Sequence, residues 1–140
     1  MSRFEWDNAY SVCVDHLDQD HKHLFALLNK AHDSYALSIS MDPDSYPSIV
    51  MELIDYLDHH FAAEEAYMDQ IKYPDLAAHK LEHQRFARKV LDFRKKIHEK
   101  KEDYTQDMVE LTDIIYNWLR HHILNVDQQY TNFVMLSYFK

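Results

Sequence analysis

Six residues with strong metal-binding side chains fall where a helical protein would place leucine or isoleucine, and a seventh, Asp127, lies one step off. They are His21, His60, Glu64, His79, His83, His122 and Asp127. His60 with Glu64, and His79 with His83, are spaced i, i+4, so each pair shares a helix face. A buried polar group without a partner costs roughly 1–3 kcal/mol. Seven would cost on the order of 7–20 kcal/mol, against a total stability of about 5–15 kcal/mol. The set must therefore be satisfied, by hydrogen bonds among its members or by metal. Five imidazoles and two carboxylates without a thiolate suit iron, zinc, copper or nickel. Seven donors are too many for one such ion, which suggests a pair. If both ions are six-coordinate iron, five His, two bridging carboxylates and a bridging oxide or hydroxide fill all but one of about twelve positions. The open position would take a small molecule such as O2.

The elements that must carry these residues follow from the apolar period, which appears four times. Helix A is expected from about Asp18 to Ser38, with the stripe His21, Leu24, Leu28, Ala31, Tyr35. Helix B is expected from about Pro47 to Lys72, with Ile49, Leu53, Leu57, His60, Glu64, Met68, Ile71 inward. Helix C runs from about Pro74 to Lys100, with Leu76, His79, His83, Phe86, Val90, Phe93, Ile97. Helix D starts near Asp103 or Thr105, with Met108, Leu111, Ile115, Trp118, His122, and a short final helix spans about Gln128 to Tyr138. Residues 1–16 lack a sustained period and read as an extended arm anchored by Trp6 and Tyr10. The expected fold is all-α: an up-down-up-down four-helix bundle with an extended N-terminal arm and a short C-terminal helix. In such a bundle the starts of A and C lie level with the ends of B and D, so all seven polar residues converge on one end of the core. Asp127 follows His122 by five positions, one step off the strict stripe.

Length and composition bound the rest. The 140 residues are expected to form one domain spanning 1–140. A net charge of −9 argues against nucleic acid and against an anionic membrane surface. No stretch is apolar enough for a membrane span, and the N-terminus lacks the apolar core of a signal peptide. One cysteine, Cys13, excludes an internal disulfide and a cysteine-based metal site and suits a reducing, cytoplasmic location. The chain has no glycine, which makes an all-β fold improbable.

The chain resembles the hemerythrins, and in particular the single-domain bacterial hemerythrins. The resemblance is carried by Trp6 with Tyr10-Ser11-Val12 and by Asp18-Gln19-Asp20-His21-Lys22-His23-Leu24-Phe25. It continues through His60-Phe61-Ala62-Ala63-Glu64-Glu65 with Met68, His79-Lys80-Leu81-Glu82-His83, Trp118-Leu119-Arg120-His121-His122-Ile123, and Asp127 to Tyr130. It implies a non-haem di-iron centre, two Fe ions with a bridging oxide or hydroxide, that binds O2 reversibly for storage, delivery or sensing. By that analogy His79, His83 and His122 hold one iron. His21 and His60 hold the other, which keeps the open site, and Glu64 and Asp127 bridge. Leu119, Trp118, Phe61 and Ile123 match the apolar wall of the O2 pocket. The family implies binding without turnover and leaves room for a redox or signalling protein partner; the oligomeric state is not specified. Two other functions compete. One is a di-iron enzyme reducing O2, peroxide or nitric oxide, which would need an electron supply and a wetter pocket. The other is a regulatory iron- or zinc-binding module.

The remaining residues have plainer roles. His16, His23, His32, His59, His98 and His121 fall off or beside the stripes and are expected to face solvent or support the site. Cys13, where the family often has glycine, is expected to be a small buried apolar residue. Arg94-Lys95-Lys96 with Lys100-Lys101 is expected to be a solvated face, and the apolar stretch Phe133 to Phe139 to cover a bundle end.

Overall fold

The computed structural model describes residues 4–36, 45–99 and 105–137. Its helices are α1 (Asp15–Ala36), α2 (Ser45–Gln70), α3 (Leu76–Glu99), α4 (Thr105–His122) and α5 (Gln128–Ser137), with a π-helical segment, Ile123–Asp127, between the last two. There is no strand among the described residues. α1 packs on α2, α2 on α3, α3 on α4, and α4 closes the ring on α1. This is the expected four-helix bundle. Among the described residues, no helix is long and apolar enough to cross a membrane.

The helix ends differ from the expected ones for local reasons. α1 begins at Asp15 rather than Asp18. Asp18 lies inside the first turn, and its carboxylate accepts from Val12 N (2.8 Å) and Ser11 Oγ (2.6 Å), tying the arm to the helix. α2 begins at Ser45, which puts Pro47 among the first residues, where no intrahelical N–H is required. It stops at Gln70, ahead of the expected Lys72. Lys72 takes φ 57°, Tyr73 N donates to Met68 O, and Lys72 N donates to Asp69 O. These are the two bonds of a Schellman stop, with Met68 and Tyr73 buried in one cluster. The turn it makes delays α3 to Leu76, past the expected Pro74. The arm is not wholly extended: Asn8–Tyr10 form a 3₁₀ turn capped by Asp7. Trp6 and Tyr10 do anchor it, both packing against Phe25.

The stripes face inward as expected. The side chains of Tyr35, Ile97, Met108 and His98, the connection at 39–46 as far as Asp44, and residues 100–104 lie outside the described residues. Two apolar clusters form the core. The larger runs through Leu24, Leu28, Leu53, Leu57, Leu111, Ile115, Leu119 and Ile123. The smaller joins Val12, Leu17, Met68, Tyr73 and Tyr130. Several of the polar residues fall between members of the two: His21 between Leu17 and Leu24, Glu64 between Phe61 and Met68, Asp127 between Ile123 and Tyr130. The polar layer is thus capped above and below by hydrocarbon.

Candidate metal centre

All four long helices and the π-segment contribute to one buried cluster. His21 comes from early α1, His60 and Glu64 from late α2, His79 and His83 from early α3, His122 from the last position of α4, and Asp127 from the π-segment. Each is at most 3% exposed. The side chains form two overlapping groups. Glu64, His79, His83, His122 and Asp127 make one, and His21, His60, Glu64 and Asp127 make the other, with donor atoms in each within 4.8 Å of one another. Both carboxylates belong to both groups.

The orientation of the rings tests whether the cluster satisfies itself. His60 Nδ1 faces Asp20 Oδ2 at 3.0 Å, and His83 Nδ1 faces Glu65 Oε2 at 2.8 Å. His122 Nδ1 lies 3.5 Å from Glu82 Oε2. A carboxylate can only accept from such a nitrogen, so the Nδ1 proton goes outward and the Nε2 lone pair turns inward. The inward nitrogens crowd together: His79 Nε2 to His122 Nε2 is 2.9 Å, and His83 Nε2 to His122 Nε2 is 3.1 Å. His79 Nε2 also meets Glu64 Oε1 at 2.8 Å, but two ring nitrogens that both carry lone pairs, or both carry protons, cannot bond one another. Both Asp127 oxygens and His21 Nε2 have no hydrogen-bond partner, although Asp127 Oδ1 is 3.0 Å from His122 Nε2 and Oδ2 is 3.4 Å from His21 Nε2. Atoms this close but misaligned for hydrogen bonding are aimed at a common centre. A cation is the partner such a donor set fits.

The electrostatics agree. Burial disfavours the His60 imidazolium, but Asp20, Glu64 and Asp127 more than reverse this and push its pKa up to about 9. His79 is pushed up to about 9 and His122 to about 10, again by Asp127 and Glu64 acting against burial. Burial would raise Glu64, yet His122, His21, His60 and His79 hold it well below the usual carboxylate range. Asp127 is likewise held low, with His122 and His21 overcoming burial and the neighbouring Glu64. The site thus has a strong demand for positive charge.

The aromatic surroundings are ordered. Phe61 stacks on His83 (4.1 Å between centroids) and Trp118 on His122 (4.3 Å), while Phe86 covers the other face of Trp118 (4.0 Å). Leu119 and Ile123 are fully buried. Phe61 and Trp118 therefore lie against the three-histidine group.

Five supporting residues were not assigned from the stripes. Tyr130, fully buried, donates from its hydroxyl to Glu64 Oε2 (3.2 Å). Burial, with Glu64 and Asp127 close by, raises its pKa well above the ordinary phenol value. Asp20, Tyr56, Glu65 and Glu82 lie outside the seven-residue set and are invisible to an apolar-period search. Their signal is adjacency: Asp20 precedes His21, Glu65 follows Glu64, and Glu82 precedes His83. His16, His23, His59 and His121 are exposed and His32 is half-buried, so the stripe phase separates His60 and His122 from their neighbours correctly. Cys13 corrects an expectation. It is exposed, not buried, because φ 61° turns it outward at the bend into α1. In the described part of the tail, Phe133 packs on the smaller cluster, but Met135 and Leu136 are 50% and 66% exposed; Tyr138 and Phe139 lie outside the described residues.

A four-helix bundle with a buried layer of imidazoles and carboxylates between apolar caps defines a metal-binding helical domain. The chain belongs to the hemerythrin family: a model of the hemerythrin HHE cation binding domain matches residues 13–134. It is 35% identical to a bacteriohemerythrin of Clostridium acetobutylicum, over 91% of this chain and 98% of that one. It is 34% identical to the bacteriohemerythrin of Methylococcus capsulatus, over 93% and 95%. A wild-type hemerythrin crystal structure superposes with a TM-score of 0.79 at 33% identity, covering 93% of this chain and 96% of the other.

Proposed function

We propose that this chain binds O2 reversibly at a pair of iron ions bridged by oxide or hydroxide. His79, His83 and His122 would hold one ion and His21 and His60 the other, with Glu64 and Asp127 available to both. The observation that carries the proposal is the division of the donors into two groups that share both carboxylates, with three imidazoles on one side and two on the other. The side with fewer protein donors keeps a position for an outside ligand. Bound there, a ferrous pair would supply reversible two-electron chemistry toward O2.

The chain's own residues supply the setting. The outward Nδ1 bonds to Asp20 and Glu65 hold the His60 and His83 rings before any metal arrives, which limits the reorganisation that accompanies loading. Leu119, Ile123, Phe61 and Trp118 exclude water, which slows proton-assisted oxidation of the pair. An apolar wall of this kind favours binding without turnover over an oxidase or peroxidase. The whole chain then acts as one cytoplasmic O2-binding domain.

The test is the visible spectrum of the iron-loaded protein. The reduced anaerobic form should be colourless, gain ligand-to-iron charge-transfer bands on air, and lose them under vacuum. Bands that decay to a ferric form while O2 is consumed would instead establish an enzyme. Zinc as the sole ion retained by protein purified from its native source would establish the regulatory module.

A further inference from the structure

The braced imidazole of the two-histidine group has a partner unlike those on the other side. Asp20 offers one oxygen to each of two neighbours: Oδ2 to His60 Nδ1 at 3.0 Å, and Oδ1 to the Tyr56 hydroxyl at 2.9 Å. Its side chain is 13% exposed. On the three-histidine side, Glu65 is 21% exposed and also lies 4.0 Å from Lys80 Nζ, and Glu82 is 48% exposed at 3.5 Å. His21 Nδ1, the other outward nitrogen of the two-histidine group, has no hydrogen-bond partner. Among the described residues Asp20 is thus the one carboxylate bracing that group from outside, and it is the least solvated of the three.

We infer that Asp20 and Tyr56 act together as a device that sets the electron-donating power of His60 toward its metal, with Asp20 strengthening and Tyr56 moderating it. The inference rests on the metal-pair reading above. The physical chain is short. An Nδ1–H donated to a carboxylate gives the imidazole partial imidazolate character and makes Nε2 a stronger donor. A stronger donor stabilises the more oxidised metal. A hydroxyl donated to the other carboxylate oxygen draws charge away from the first and weakens that push. The two residues therefore act with opposite sign although they sit in one hydrogen-bonded chain. Tyr56 lines an open surface groove with Ser48, Met51, Glu52, Asp55 and His59, so the moderating end of the chain is the end nearest solvent. Both are positioning residues; neither is among the metal donors.

Opposite signs give a test that simple structural support would fail. Asp20→Asn keeps the shape and an acceptor but removes the charge; Tyr56→Phe keeps the ring but removes the donor. In iron-loaded protein the midpoint potential should rise in Asp20→Asn and fall in Tyr56→Phe. In zinc-loaded protein, proton NMR should show the His60 Nδ1–H resonance move upfield in the first and downfield in the second. Zinc affinity should weaken about 10–100-fold in Asp20→Asn. Shifts in the same direction, or an unmoved resonance with zinc uptake intact, would overturn the inference while leaving the metal site standing. If Asp20→Asn fails to fold, Tyr56→Phe alone decides by the sign of its shift. Opposite shifts in protein that never binds O2 would sustain the inference and remove the O2 reading. A wild-type chain that takes up no metal would overturn both.

Discussion

His122 Nε2 and Asp127 Oδ1 lie 3.0 Å apart although they stand five positions apart along the chain. In an α-helix a spacing of five rotates a side chain about 140° away. The π-helical winding of Ile123–Asp127 widens the turn and returns Asp127 to the face of His122. One-turn π segments of this kind recur at functional sites. Asp127 is shared by both donor groups, so its loss should affect both ions. Asp127→Ala should keep its helical circular dichroism and bind well under half the iron of wild type, measured by atomic emission. Full iron content would remove Asp127 from the bridge.

Metal should also hold the fold together. A ligand at 100 times its Kd stabilises by about 2.7 kcal/mol, on the order of 10 °C in Tm for a chain of this size. Wild type should show that rise on loading. His79→Ala, which removes a ring facing both of the carboxylates shared by the two donor groups, should show little of it by calorimetry. An undiminished rise in the variant would argue that His79 is no ligand.

The raised imidazoles predict how this protection varies with pH. In metal-free protein His60 and His79 titrate near 9 and His122 near 10, above the ordinary 6.5. Their contribution to stability is fully present below about pH 6.5 and is lost as pH rises through 9–10. Metal requires the neutral rings, so it competes with protons and binds more tightly as pH rises. Melting curves from pH 6.5 to 10 should show the metal-free Tm falling and the gap to the loaded form widening. A gap that narrows with pH would contradict the assignment.

The apolar wall carries its own prediction. Leu119 is fully buried, and Leu119→Ser brings a hydroxyl, and with it water, to the metal layer. Iron content should stay unchanged while the oxygenated form decays to ferric at least several-fold faster, followed by its absorption. An unaltered decay rate would exclude Leu119 from the barrier.

Cys13 stands at φ 61° with its side chain in solvent. A left-handed residue with a Cβ costs about 1–2 kcal/mol, partly offset in glycine by its greater freedom when unfolded. Cys13→Gly should therefore stabilise the protein by about 0.5–1 kcal/mol in urea titrations. Destabilisation would show that the thiol contributes where it stands.

The bundle, the level of the polar layer and the seven residues drawn into it were legible in the chain because they depend on periodicity. Apolar side chains every three or four residues define a buried face whatever that face packs against, and His60 and Glu64 interrupt it visibly. Elements with no period escaped. The αL stop at Lys72 depends on a backbone turn that no side chain announces. The outward turn of Cys13 depends on the path from arm to helix. Asp127 looked displaced because local spacing assumes an α-turn, whereas the packing of α4 against its neighbours selects a wider one. Asp20, Glu65 and Glu82 meet the imidazoles from other helices, Tyr56 and Tyr130 meet Asp20 and Glu64, and only the assembled bundle brings them there. Residue types and their spacing decided what chemistry was available. Tertiary packing decided how the rings are turned: Asp20 holds His60 Nδ1 and Glu65 holds His83 Nδ1, because a carboxylate on another helix accepts the outward proton and leaves Nε2 facing the cluster.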